Sequence, residues 1–211
     1  MSVQNNIQEL NIPNNVILLA ATKGRSIEQI KEVIEAGVTI IGENYVQEAE
    51  GKFKELKGKV KFHFIGHLQT NKVKKAVEIF DMIQTIDSEK ISVEVDKRCR
   101  EINKRMPVLI EVNIGEEENK TGCMPDDVKE LAEKIKNMKN LELKGIMTMA
   151  PYFEDAEKTR PYFKKTFKVF EEIRTKEVNI LSMGMSDSYN IAIEEGANMV
   201  RIGTVIFGNI Y

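Results

Sequence analysis

Lys23 directly follows the apolar run VILLAAT, residues 16–22. An ammonium emerging there stands at the edge of a core. Desolvation together with a cationic neighbour disfavours its charged form and lowers its pKa toward an amine able to attack a carbonyl. The plainer alternative is a strand-end lysine that snorkels to water. A second constellation is LSMGMSDS, residues 181–188, followed twelve residues later by VRIGTVIFG, residues 200–208. Gly184 permits a tight turn, Ser186 can cap the helix it opens, and Gly203 with Thr204 offers unobstructed amides and a hydroxyl. This set suits a phosphate. Arg201, directly before Ile202 and Gly203, would add a fixed cation beside it. The bland alternatives are that the glycines only mark turns and that Arg201 pairs with an acid such as Glu43.

Other chemistry-bearing residues form weaker patterns. His63 and His67 straddle a strand end without the HExxH pattern of a helical metal site, so no metal is expected. Glu43 and Asp87 could make a carboxylate pair, but the sequence does not fix their separation. Between Lys52 and Lys75 there are eight lysines against one acid, Glu55. No aromatic platforms interleave with them, so a solvated outer face is favoured over a nucleic-acid surface. Met147, Met149, Met183 and Met185 lie near strand ends, where pliable packing is the ordinary role and a cover over a planar ligand the rarer one.

Short β-branched runs, each followed by a stretch of helical periodicity, must position these residues. Strands are expected over 16–22, 39–42, 62–66, 82–86, 108–113, 143–149, 179–183 and 199–203. Helices are expected over 26–36, 44–56, 70–80, 88–103, 125–137, 159–176 and 186–195, with a further helix at 3–10. Ser26, Thr70, Ser88 and Ser186 are the expected N-caps. Eight βα units in 211 residues leave about 26 residues each, near the lower limit for a closed α/β barrel of the (β/α)8, or TIM, type. An open doubly wound sheet is the rival. The barrel is preferred because polar residues follow nearly every strand, at the end where that architecture builds its site.

Composition narrows the function classes. With 42% hydrophobic and 30% charged residues and a net charge of −2, the chain has the profile of an ordinary globular protein, without a global attraction to nucleic acid or anionic membrane. No apolar run approaches a membrane span. The start MSVQNNIQEL has neither a basic leader nor an apolar segment, so a cytoplasmic location is expected. Cys99 and Cys123 have no metal or CxxC spacing and are expected to be reduced thiols. No linker or repeat divides the sequence, so residues 1–211 are expected to form one domain.

Five segments, LLAATK, GENYVQE, HFIGHLQTNK, LSMGMSDS and VRIGTVIFG, occur in this order over essentially the whole chain. In that order they resemble the pyridoxal phosphate homeostasis proteins. The resemblance implies a single barrel of the alanine-racemase type (PLP fold type III) with an extra N-terminal helix. It implies pyridoxal 5′-phosphate (PLP) held as a Schiff base, a covalent imine on Lys23. Ser186, Gly203 and Thr204 correspond to the phosphate cradle and Arg201 to the residue facing the pyridine nitrogen. Asn44 and Met183 match positions near the cofactor ring. His67 occupies a variable position and receives no role.

A cation at the pyridine nitrogen discourages ring protonation and weakens the cofactor as an electron sink. Racemases of this fold draw a second base from an added β-domain and a partner subunit, and only seven residues follow Thr204 here. The expected function is therefore PLP binding for intracellular vitamin B6 homeostasis, with little or no catalysis and with delivery to apo-enzymes, by a monomer that meets no nucleic acid or membrane. The alternatives are a weak PLP-dependent amino-acid racemase and a barrel for another phosphorylated metabolite.

Overall fold

A computed structural model describes residues 2–208; Met1 and 209–211, the ends of the single domain expected over 1–211, lie outside the described residues. Eight parallel strands close into a barrel in sequential order. They are β1 (Ile17–Ala21), β2 (Ile40–Glu43), β3 (Lys61–Phe64), β4 (Met82–Ile86), β5 (Met106–Val112), β6 (Leu141–Thr148), β7 (Ile180–Ser182) and β8 (Met199–Ile202). Closure is made by β1 against β8, where Leu19 pairs with Arg201 and Ala20 with Ile202. Parallel neighbours cannot be joined by a tight turn, so helices make the crossovers. These are α2 (Ile27–Glu35), α3 (Val46–Leu56), α4 (Val73–Ile79), α5 (Glu89–Glu101), α6 (Val128–Lys136), α7 (Arg160–Ile173) and α8 (Tyr189–Glu194). The expected N-terminal helix is α1 (Val3–Glu9), and a short α9 (Thr204–Phe207) follows β8.

Helix starts follow local chemistry in some places and not in others. Ser26 and Ser88 cap α2 and α5, with Ser26 and Gln29 forming a reciprocal capping box. The expected cap at Thr70 is not made, because Thr70 already lies inside a 3-10 turn that leads into α4. Nor does Ser186 cap α8, which begins after Ser188.

Side chains alternate across each strand and so divide the packing in two. Ala20, Ile41, Phe62, Val108, Leu181, Met183 and Val200 join one large core with the helix faces. Leu19, Ile40, Ile65 and Met199, and separately Met82, Leu109 and Met147, form two small clusters without helical residues, which fill the barrel's interior. Each fully buried side chain of this size contributes roughly 1.5–3 kcal/mol. Between and above those clusters the inward positions turn polar: His63, Gln84, Glu111, Ser182 and Arg201 are all buried. Cys99 and Cys123 are free and buried. Among the described residues no helix is long and apolar enough to cross a membrane.

Candidate functional site

The C-terminal mouth of the barrel holds a cavity of about 320 Å³, at the small end of the range for small-molecule sites. Six of the seven expected site residues line it: Lys23, Asn44, Ser186, Arg201, Gly203 and Thr204. The seventh, Met183, does not. It is fully buried and belongs to the core beneath the helices. The alternation of β7 explains this, since Ser182 points inward and its neighbour must point outward. Met149 and Met185 line the cavity instead, and they also border a narrow apolar cleft with Tyr152 and Phe163.

Lys23 sits at the corner of a tight turn after β1, closed by a 3.1 Å hydrogen bond from the Arg25 amide to the Thr22 carbonyl. Gly24, with φ +68°, takes the left-handed position that such a turn places third. The side chain of Lys23 is exposed in the mouth, so the expected desolvation at the edge of the core is not supplied by the protein. Its cationic neighbours are present: Arg25 and Arg201 share the cavity lining. Arg25 also bonds the Phe207 and Gly208 carbonyls and lies 5.1 Å above the Phe207 ring, tying the Lys23 turn to the segment after β8.

Sequence reasoning missed what supports this turn. Lys52, expected on a solvated face, is only 6% exposed. Its ammonium donates to the Thr22 carbonyl at 2.6 Å, to Glu43 at 2.7 Å and to Glu48 at 2.6 Å. Glu48 in turn accepts the Gly24 amide at 2.6 Å, and the Thr22 hydroxyl donates to Glu43. Burial raises the Glu43 carboxyl above its ordinary range while Lys52 pulls it back. Glu43 is therefore partnered by Lys52 and not by Arg201 or Asp87. Asp87 bonds Ser88 and lies 3.7 Å from the exposed His67.

Arg201 forms the inner wall. It donates to the Ser182 hydroxyl at 2.8 Å and to the Thr148 carbonyl at 2.8 Å. Ser182 donates onward to Gln84 at 2.8 Å, and the Gln84 amide nitrogen lies 3.0 Å from Nδ1 of His63. Burial pushes the His63 imidazole down to about 3, so it is neutral at pH 7 and can accept that bond. Burial also pushes Arg201 down, to about 10, which leaves it cationic at neutral pH. Across the interior, burial pushes the Glu111 carboxyl up to about 7, opposed by the Thr121 hydroxyl bond and by the charge of Arg201.

The remaining wall joins two loops. Ser186, on the β7–α8 loop, accepts long hydrogen bonds from the Gly203 amide at 3.3 Å and the Val205 amide at 3.5 Å, at the end of β8. A Cβ on Gly203 would stand 3.3 Å from the Ala21 carbonyl, so the backbone there passes close to β1. Amine, fixed guanidinium, hydroxyls and backbone amides thus line one small space, a donor set that fits an anionic aldehyde such as PLP. No cluster of potential metal ligands occurs among the described residues.

Fold and site together define an alanine-racemase-type barrel, and residues 3–210 match the family model described as alanine racemase, N-terminal domain. An alanine racemase from Clostridium difficile has the same fold, with a TM-score of 0.80 at 16% identity over 99% of this chain and 56% of that one. PipY of Synechococcus elongatus PCC7942, solved with PLP bound, gives a TM-score of 0.89 at 29% identity over 98% of this chain and all of that one. Its structure without PLP gives 0.92 at 31% identity with the same coverage. A pyridoxal phosphate homeostasis protein of Aquifex aeolicus is 43% identical over 196 residues, 90% of this chain and 86% of its own length. This chain belongs to the family of pyridoxal phosphate homeostasis proteins.

Proposed function

We propose that this protein binds PLP reversibly in the mouth of the barrel, joined through its aldehyde carbon to Lys23 Nζ as an imine, and stores it for enzymes that lack it. The observation that carries this reading is the shared cavity of Lys23, Arg201 and the Ser186–Gly203–Thr204 wall. PLP supplies an electrophilic carbonyl and, at its far end, a phosphate. Ser186, Thr204 and the amide of Gly203 would hold the phosphate, and Asn44 would border the ring. Arg201, fixed by Ser182 and Thr148, would hold a positive charge beside the pyridine nitrogen and disfavour its protonation.

That arrangement favours keeping the cofactor over using it. Racemisation requires a base on each face of the substrate carbon, and the cavity's described lining offers Lys23 and Asp187, so the non-catalytic reading rests on Arg201 and not on a missing base. Two free, buried cysteines accord with the reducing cytoplasm as its location.

The test is a visible spectrum with added PLP, followed by borohydride reduction and peptide mapping. The expected label is on Lys23, and Lys23→Ala should lose the fixable adduct while retaining noncovalent PLP binding. No imine band, or a label confined to another lysine, would reject the reading. Release of α-deuterium from amino acids faster than with free PLP would reject its non-catalytic part.

A further inference from the structure

Lys52 does not line the cavity, yet its three hydrogen bonds spend all three ammonium donors on partners close to Lys23. One reaches the Thr22 carbonyl, the peptide group before Lys23. Another reaches Glu48, which holds the Gly24 amide, the peptide group after it. The third anchors the assembly to Glu43 at the end of β2, and Glu43 also accepts the Thr22 hydroxyl. Lys23 is thereby gripped on both sides by one ion cluster reaching across from α3.

A buried ion pair confers little net stability compared with apolar packing of the same volume, so stability alone is a poor reason for this cluster. Docking α3 onto β2 would require only the Lys52–Glu43 contact. The two extra contacts go to the main chain flanking an exposed, flexible side chain whose reaction depends on where its nitrogen can reach. A displacement of about 1 Å in such a group costs up to roughly a hundredfold in rate.

We propose that Lys52 and Glu48 are positioning residues for Lys23: they lock the Thr22–Arg25 turn so that the amine is presented to the carbonyl carbon of the ligand in the cavity. This rests on the reading of Lys23 as the amine that meets PLP. Condensation balances as one carbonyl plus one amine giving one carbon–nitrogen double bond and one water, and neither Lys52 nor Glu48 exchanges a proton in it.

Glu48→Ala removes the acceptor for both the Gly24 amide and Lys52, whereas Glu48→Gln keeps an acceptor. Because Lys52→Met alone strands Glu43, the second variant is the double Lys52→Met/Glu43→Gln. Two measurements apply to each: hydrogen exchange of the segment around Gly24 without cofactor, and the rate of imine formation on mixing with PLP, with inorganic phosphate binding as a control. Glu48→Ala and the double variant should speed exchange around Gly24 and slow imine formation, each about tenfold or more, with strand protection retained and phosphate affinity within about twofold. Glu48→Gln should restore both. Unchanged exchange at Gly24, or faster exchange with an unchanged imine rate, would overturn the proposal. An imine missing from the unmodified protein would instead overturn the parent reading, and a loss confined to the variants separates the two failures.

Discussion

Lys52 and Arg201 are both buried cations, 6% and 4% exposed, but one meets two carboxylates at hydrogen-bond distance while the other meets a hydroxyl and a carbonyl. Among the described residues Arg201 has no ion pair, and the acid whose charge acts on it is Glu111 across the interior. The difference lies in where the positive charge is used. At Lys52 it is neutralised inside the fold and serves to fix the chain. At Arg201 neutral partners fix the geometry but leave the charge uncompensated, so that its field reaches the cavity it lines.

This contrast makes the two sites respond differently to removal of the cation. Lys52→Met leaves two carboxylates without their partner and should cost about 3–5 kcal/mol of folding stability in urea unfolding. Arg201→Met leaves only neutral acceptors unpaired and should cost roughly 1–3 kcal/mol, while changing the absorption spectrum of bound PLP. Equal destabilisation by both would erase the distinction.

Glu111 sharpens the contrast through pH. Its folded value of about 7 exceeds the ordinary 4.5, so between these values the native state binds the proton more tightly than the unfolded chain does. Stability from this group is complete below pH 4.5 and is lost as pH rises through 7, by up to about 3 kcal/mol. Glu111→Gln, which mimics the protonated side chain, should therefore stabilise the protein by roughly 2 kcal/mol at pH 8 and change little at pH 4.5. An equal gain at both pH values would show that repacking, not charge, is responsible. The smallest effect is expected at Met183. Met183→Leu should cost less than about 1.5 kcal/mol and leave the PLP spectrum unaltered, whereas a shifted spectrum would return Met183 to the cofactor.

The barrel was legible because its signals are local and repeated. The run at β4 matches residues 82–86, and Ser26 caps α2 through bonds within four residues. The candidate site was legible at the C-terminal ends of strands, with Lys23 just past β1 and Arg201 in the last residues of β8. What escaped depends on contacts between distant residues. Lys52 reads as a surface lysine because its buried partner Thr22 lies thirty positions earlier. Ser186 looks like a helix cap, yet its hydroxyl turns to amides seventeen and nineteen positions later. The position of Met183 outside the cavity lining follows from strand alternation: once Ser182 faces inward, the next side chain is directed toward the helices.

The hydroxyl of Ser186 has one more implication. The two backbone N–H groups it holds are already aimed at a common acceptor before any guest arrives. A dianionic guest would inherit oriented dipoles and exchange a neutral oxygen for a charged one, an exchange that favours the visitor because charge-assisted bonds are roughly twice as strong. A neutral guest of the same shape would gain almost nothing from the swap, so on the proposed reading this loop would favour the phosphorylated vitamer over dephosphorylated ones.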